Sequence, residues 1–460
     1  MSNFSKQENR LKLSRIDYVI IICYSVITFL SFILDNPIVY LFLGLVMLGV
    51  YLYKITKAPA NVLSLSLLAG HPFSYTLANT NIPLLSASTI IVLNIFALVI
   101  YFMRGGHLKL STSKVYVLVG LFFLFVLLVI KWVQADYSLV GFEMLYYFIG
   151  FGLLSNIIIL FVIKDLRDII GNFKITLIIF ASYILAIFYI FIYKSDPKNF
   201  LYGLENPIGM SYFIITNMLL LLFVVPPSNK IFKIFKIFVI ILSVLITLLL
   251  GQRSFLVGMI FLGAIYFFKL YSSLKIKFGV LCGVVIVVSA FALYYEGIDN
   301  YKLNYFSTFL SDPMYYLNKV QYVSFEAAHE QLGTIGSRFY MWYLAVTSAN
   351  PLIGNGLGDF YTLTGDIAKY PHNIFVEFYF LFGIGGLFAS ILFFYKSLKY
   401  AIRTLSKVHI FRFINSDIII MFPILMFSSS VTGLLCNYIT FVILQMMILQ
   451  KLKEYEYTDY

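Results

Sequence analysis

Four side chains in the second half of the chain stand out chemically from their apolar surroundings: Arg253, Arg338, His372 and Glu377. A guanidinium offers a planar fork of donors that matches phosphate oxygens two at a time. An imidazole, with an ordinary pKa of about 6.5, suits a general base near neutral pH. His372 also directly precedes a helix start, where free backbone N–H groups favour an anion. Glu377 lies one turn into the same apolar run, as a partner for His372 or an arginine, or as an alternative base. Plainer readings stand beside these. Arg253 could snorkel to headgroups, Arg338 could pair with Glu326 or Glu330, and His372 could cap or pack.

The elements that must position these groups follow from composition. Hydrophobic residues make up 61% of the 460 and charged residues 12%. A soluble fold of this size could not bury so much apolar surface, so the excess faces lipid. Soluble enzymes, transcription factors and disordered scaffolds are excluded. The net charge of +12 is a membrane-topology signal and not a nucleic-acid one. Cys23, Cys282 and Cys436 all lie within apolar runs, which excludes a disulfide framework and a cysteine-based metal site.

A crossing needs about 20 mostly apolar residues. Clear runs are Tyr18–Leu34, Ile38–Tyr53, Ile82–Met103, Val115–Val133, Gly141–Ile163, Ile175–Tyr193, Ile208–Val225, Ile237–Leu250, Phe255–Phe268, Phe278–Tyr295 and Ile374–Tyr395. Val62–Leu77 is weaker, because His71-Pro72 interrupts it, and Ile418–Ser430 and Leu434–Leu449 are short enough to be re-entrant. The expected fold is all-α, with about 12–14 transmembrane helices. With the N-terminus inside, only Lys131, Lys194, Lys198, Arg253, Lys302, Lys319, Arg338 and Lys369 of the 33 basic residues fall outside. That bias puts both termini in the cytoplasm. The first run lacks a small-x-small cleavage site, so it reads as a retained span.

The inner loops are short, the longest running from Lys396 to Asp417, and no G-x-x-x-x-G-K-[ST] motif occurs. Neither an ATP site nor a cytoplasmic catalytic domain is expected. The remaining long segment, Glu296–Pro371, is external and rich in Tyr, Phe and Leu. It is expected to fold onto one polytopic domain spanning residues 1–460. Within it, Ser337 is expected to cap an amphipathic helix from Arg338 to about Ser348, ended by Asn350-Pro351. Phe339, Trp342, Tyr343 and Val346 would form its apolar stripe, with Trp342 at headgroup level. Gly354-Asn355-Gly356-Leu357-Gly358 has the look of a phosphate loop, but without a strand and helix around it a tight turn is the better reading. Gly383, Gly385 and Gly386 suit close helix packing.

Taken together, Arg338-x-x-x-Trp342, Pro351, Gly354-x-Gly356, His372-Asn373 and Gly383-Ile384-Gly385-Gly386-Leu387 resemble the hallmark segment of bacterial O-antigen polymerases and ligases. The Arg253-Ser254 turn resembles that family's other outer arginine site, and the resemblance covers roughly residues 237–400. It implies a metal-independent glycosyltransferase of GT-C-like fold in the bacterial inner membrane. The enzyme would act at the outer face on undecaprenyl-diphosphate-linked oligosaccharide, without a cofactor. Arg253 and Arg338 would hold the diphosphate, and His372 would deprotonate the attacking sugar hydroxyl. Glu377, Trp342 and Asn373 would support them. A polysaccharide chain-length regulator is an implied partner beside membrane lipid, and nucleic acid is not. A repeat-unit polymerase is favoured over a ligase that transfers polymer to lipid A core, because no second histidine lies near His372. A lipid-linked oligosaccharide flippase is a third reading, against which no internal repeat is visible.

Overall fold

The computed structural model describes residues 36–62, 85–108, 111–163, 173–193, 207–223, 230–249, 253–270, 325–365, 367–405, 409–428 and 434–458, with single positions at 26 and 30. The first apolar run apart from positions 26 and 30, the His71 region and the Phe278–Tyr295 run lie outside these residues, as do Cys23 and Cys282. No strand occurs among the described residues. The helices are α1 (Pro37–Lys57), α2 (Leu85–Met103), α3 (Thr112–Gln134), α4 (Leu139–Phe161), α5 (Phe173–Tyr193), α6 (Pro207–Phe223), α7 (Lys230–Leu249) and α8 (Arg253–Leu270). Then follow α9 (Phe325–Ser348), α10 (Asp359–Leu363), α11 (Ile374–Thr404), α12 (His409–Ser428) and α13 (Leu434–Thr458).

Local chemistry explains their ends. Asn36 accepts the Ile38 N–H, Pro37 opens α1, and Lys54 and Lys57 occupy its last turn, each where the free backbone groups and the dipole favour it. Among the described residues four helices, α1, α3, α4 and α11, are long and apolar enough to cross a membrane. On α3 the apolar side chains face outward: Phe122 and Phe123 are 61% and 62% exposed. In water such a face would drive aggregation, whereas in a bilayer it is the lipid-facing surface. The molecule therefore has the build of a membrane-embedded protein.

Inside the bundle, α4 widens into a π-helix over Phe148–Leu154. Asn94 of α2 and Ser155 donate to Gly150 O, and Asn156 donates to Gly152 O. Side chains thus supply the partners that a widened turn takes from its own backbone.

The element that shapes the site is α11. Its φ and ψ at Gly383 are 65° and −156°, a region open essentially to glycine alone. In one straight helix Phe375 and Phe394 would lie about 28 Å apart; their ring centroids are 5.7 Å apart. Both rings also meet Phe422 of α12, at 6.4 and 6.0 Å. The expected single span from Ile374 is therefore a helical hairpin, with a short arm, 374–382, folded back on a long arm, 384–404. Gly386 belongs to this reversal, since a Cβ there would stand 2.5 Å from Phe378 O.

The reversal strands backbone groups, and the turn after α9 satisfies them. Ile384 N–H donates to Pro351 O at 2.9 Å, and Asn355 N–H donates to Phe380 O at 2.7 Å. The same turn is fastened to α3: Lys131 Nζ donates to Ile353 O, Gln134 Nε2 to Gly354 O, and Leu357 N–H to Lys131 O. Cβ atoms at Gly354 and Gly356 would stand 2.3 Å from the Leu381 backbone and 2.6 Å from Ala135 Cβ. The glycine cluster is thus a close-packed turn, as its sequence context suggested, and not a phosphate loop.

Two further expectations change. Most of the expected Lys396–Asp417 loop is helical, since α11 runs to Thr404 and α12 starts at His409. Asp417 is buried in mid-helix, accepting from Tyr212 Oη and Thr216 Oγ1 of α6. Of the two runs short enough to be re-entrant, residues 418–428 lie in a helix of 20 residues and 434–449 in one of 25.

Candidate functional site

Two elements build the site: α9 and the segment 359–377 that leads into the hairpin. α9 runs from Phe325 to Ser348, so Ser337 lies in mid-helix and is not the cap expected from sequence. Among its described side chains the buried ones are Ser337, Met341 and Ala345, continued by Ala349 just past its end, and not the expected Phe339, Trp342, Tyr343 and Val346, which are half-buried or exposed. Small residues let the backbones approach closely, so they take the inner face and the large rings take its flanks. Arg338 and Trp342 lie on one such flank, one turn apart.

The leading segment is built from local turns. Thr364 Oγ1 accepts the Ala368 N–H at 3.1 Å, which closes the chain after α10. Lys369 Nζ reaches Glu143 of α4 at 2.7 Å, an exposed pair worth little. Asn373 then caps the short arm, its Oδ1 accepting the Phe375 and Val376 N–H groups at 3.0 and 3.2 Å. Replacing Asn373 with alanine is expected to destabilise the protein by about 1 kcal/mol, and Asn373→Asp to restore most of it; thermal unfolding of the purified protein reads both.

His372 lies between these features with φ of 56°. Left-handed backbone is costly outside glycine and tends to persist where function holds it. The Tyr370 ring meets the His372 ring edge-on at 4.7 Å. Burial, and secondarily the Arg338 guanidinium, hold the imidazole at a pKa of about 4. His372 is thus neutral at pH 7, with a lone pair available. Glu377 is 3% exposed. Burial, together with the Glu377 carboxylate, pushes the Tyr370 phenol up to about 12.

Arg338, Tyr370, His372 and Glu377 thus converge, three of them from one stretch of eight residues and Arg338 from another helix. Tyr370 was missed in the sequence, where it is one of 36 tyrosines and nothing marks it. Arg253 opens α8, and its side chain lies outside the described residues. α8 packs through Gly258 on Ile420 of α12, the helix whose Phe422 meets the hairpin. No group of three or more His, Cys, Asp or Glu side chains able to hold a metal ion occurs among the described residues. The chain matches no protein-family model and no curated relative.

Proposed function

We propose that this protein is a surface-polysaccharide repeat-unit polymerase, a GT-C-like, metal-independent glycosyltransferase. It would join undecaprenyl-diphosphate-linked oligosaccharides at the outer face of a bacterial inner membrane. The observation that carries the reading is Arg338 set against the neutral, strained His372, on a segment anchored by a helix reversal. That is the pairing of anion holder and base that such a transfer needs.

The donor carries its own activation in the diphosphate leaving group. Arg338, with Arg253, holds the diphosphate and stabilises the charge that develops as the sugar–phosphate bond breaks. His372 takes the proton from the attacking hydroxyl, and the oxygen forms the new glycosidic bond. A pKa of about 4 makes His372 a weak base in the free protein. When diphosphate neutralises Arg338, one of the two causes of that depression is removed and the base strengthens as the substrate arrives. Glu377 acts on the phenol of Tyr370, whose ring packs edge-on against the imidazole.

This coupling predicts a pH profile. The acid limb of kcat/KM is expected near pH 4 rather than 6.5, and the limb of kcat is expected higher. Arg338→Gln is expected to raise the free-protein limb; a limb already at 6.5 in the parent protein would overturn the coupling of His372 to Arg338. Stability follows the same group. The folded pKa is depressed, so the contribution is fully present above about pH 6.5 and is lost as pH falls toward 4.

The function itself is tested by comparing lipid A-linked and undecaprenyl-linked saccharides on gels from a deletion strain and its complemented control. A single repeat on lipid A, with the ladder lost, is the expected result. Bare lipid A core with polymer held on the carrier would make the protein a ligase. Repeats trapped on the cytoplasmic leaflet would make it a flippase.

A further inference from the structure

Arg253 opens α8, and five residues on, about 7.5 Å along the helix axis, Gly258 rests on α12. A Cβ at Gly258 would stand 2.9 Å from Ile420 O and 3.0 Å from Ile420 Cγ2. We propose that Gly258 is a positioning residue, whose close seat on Ile420 sets where Arg253 stands relative to the His372 segment. The assignment rests on the diphosphate role proposed above for Arg253 and names the contact that places it.

α12 is the common support of the two halves. Two residues after Ile420, the Phe422 ring meets that of Phe375, which is three residues from His372, with centroids 6.4 Å apart. It meets Phe394 of the long arm at 6.0 Å. So α8 and the short arm both lean on one turn of α12. The helix is itself held from three sides. Asp417 accepts Tyr212 Oη and Thr216 Oγ1 of α6 at 3.2 and 2.7 Å. Asn415 Nδ2 donates to Thr404 Oγ1 of the long arm at 2.9 Å, and Gln445 Nε2 of α13 donates to Asn415 Oδ1 at 2.6 Å.

With α12 tied to α6, α11 and α13, an atom added at the α8 seat moves α8 rather than α12. The facing atom is a backbone oxygen inside a helix, which cannot rotate aside as the end of a side chain can. Carbon and carbonyl oxygen pack at about 3.4 Å, so a methyl at 258 has to push α8 back by about 0.5 Å. That is about the tolerance within which a binding group must be held. Gly263 lies on the same helix with nothing within 4 Å of a Cβ. Alanine there adds the same methyl and the same helix propensity without the push.

The test uses the full-length protein in nanodiscs, with inorganic pyrophosphate as the probe and calorimetric titration as the readout. Arg253→Ala is expected to weaken pyrophosphate binding by about tenfold or more, and Gly258→Ala by about tenfold, with Gly263→Ala within about twofold of the parent. The double variant decides the mechanism. If Gly258 acts through Arg253, Gly258→Ala weakens binding no further once Arg253 is alanine, whereas general loosening of the bundle would multiply the two losses. Ile420→Ala, made alone and with Arg253→Ala, tests the same seat from the other helix and is expected to show the same non-additivity. It carries the test if Gly258→Ala does not accumulate.

Parent-like pyrophosphate binding in Gly258→Ala overturns the positioning role, as does a double variant weaker than Arg253→Ala by the full Gly258→Ala factor. In either case the diphosphate role of Arg253 stands. Pyrophosphate that the parent does not bind, or that Arg253→Ala binds as well as the parent, removes that role and the positioning together.

Discussion

Replacing Arg338 with alanine is expected to abolish long polymer while the protein accumulates at its normal level. The guanidinium lies half-buried on the flank of α9, and alanine is the best helix former, so the helix itself should not suffer. On the proposed reaction, what is lost is a charge-assisted donor for the departing diphosphate. Removing one preorganised donor of that kind costs about 10²–10³-fold in kcat. Arg338→Lys keeps the charge but not the fork, and is expected to recover only a fraction of the activity. Arg253→Ala is expected to behave alike. The measurement is the polymer ladder, with membrane immunoblots controlling for protein level. Normal ladders in both alanine variants would sink the diphosphate assignment.

The second large effect is expected at Gly383 and is structural in origin. A Cβ there would stand 2.5 Å from Pro351 O and 2.8 Å from Leu352 O, in a backbone region that side-chain-bearing residues avoid. Gly383→Ala is therefore expected to lower stability by about 3 kcal/mol or more and to lose activity, because the short arm that carries Asn373 and Glu377 can no longer fold back. Gly385, two residues on, has nothing within 4 Å of a Cβ. Gly385→Ala is expected to be neutral or to stabilise by about 0.5–1 kcal/mol. Apparent melting temperatures of the two variants, measured side by side, make the test. If they melt alike, the reversal is not what holds the segment.

Much of the helical framework was legible because its causes are local. Apolar runs such as Val115–Val133 and Ile175–Tyr193 reappear as α3 and α5, since a lipid-facing helix must satisfy its own backbone and hide few polar atoms. The glycines at 354, 356 and 358 were legible as a turn. Harder to see was α9, because its buried face is made of Ser337, Met341 and Ala345, continued by Ala349 just past its end. A hydrophobic periodicity follows the largest rings, and on α9 those lie on the flanks while Ser337, Met341 and Ala345 take the buried face.

The sequence by itself determined that the chain is helical and that it is built for a membrane. Those follow from residue types and run lengths alone. Only the tertiary structure decided that α11 doubles back and that Arg338 meets His372. A glycine that permits a reversal and a glycine that permits close packing read identically along a chain. What selects the reversal at Gly383 is a carbonyl 32 positions earlier, Pro351 O, which receives the Ile384 N–H. The site's two halves depend on that long-range hydrogen bond, so their meeting is not written in either segment.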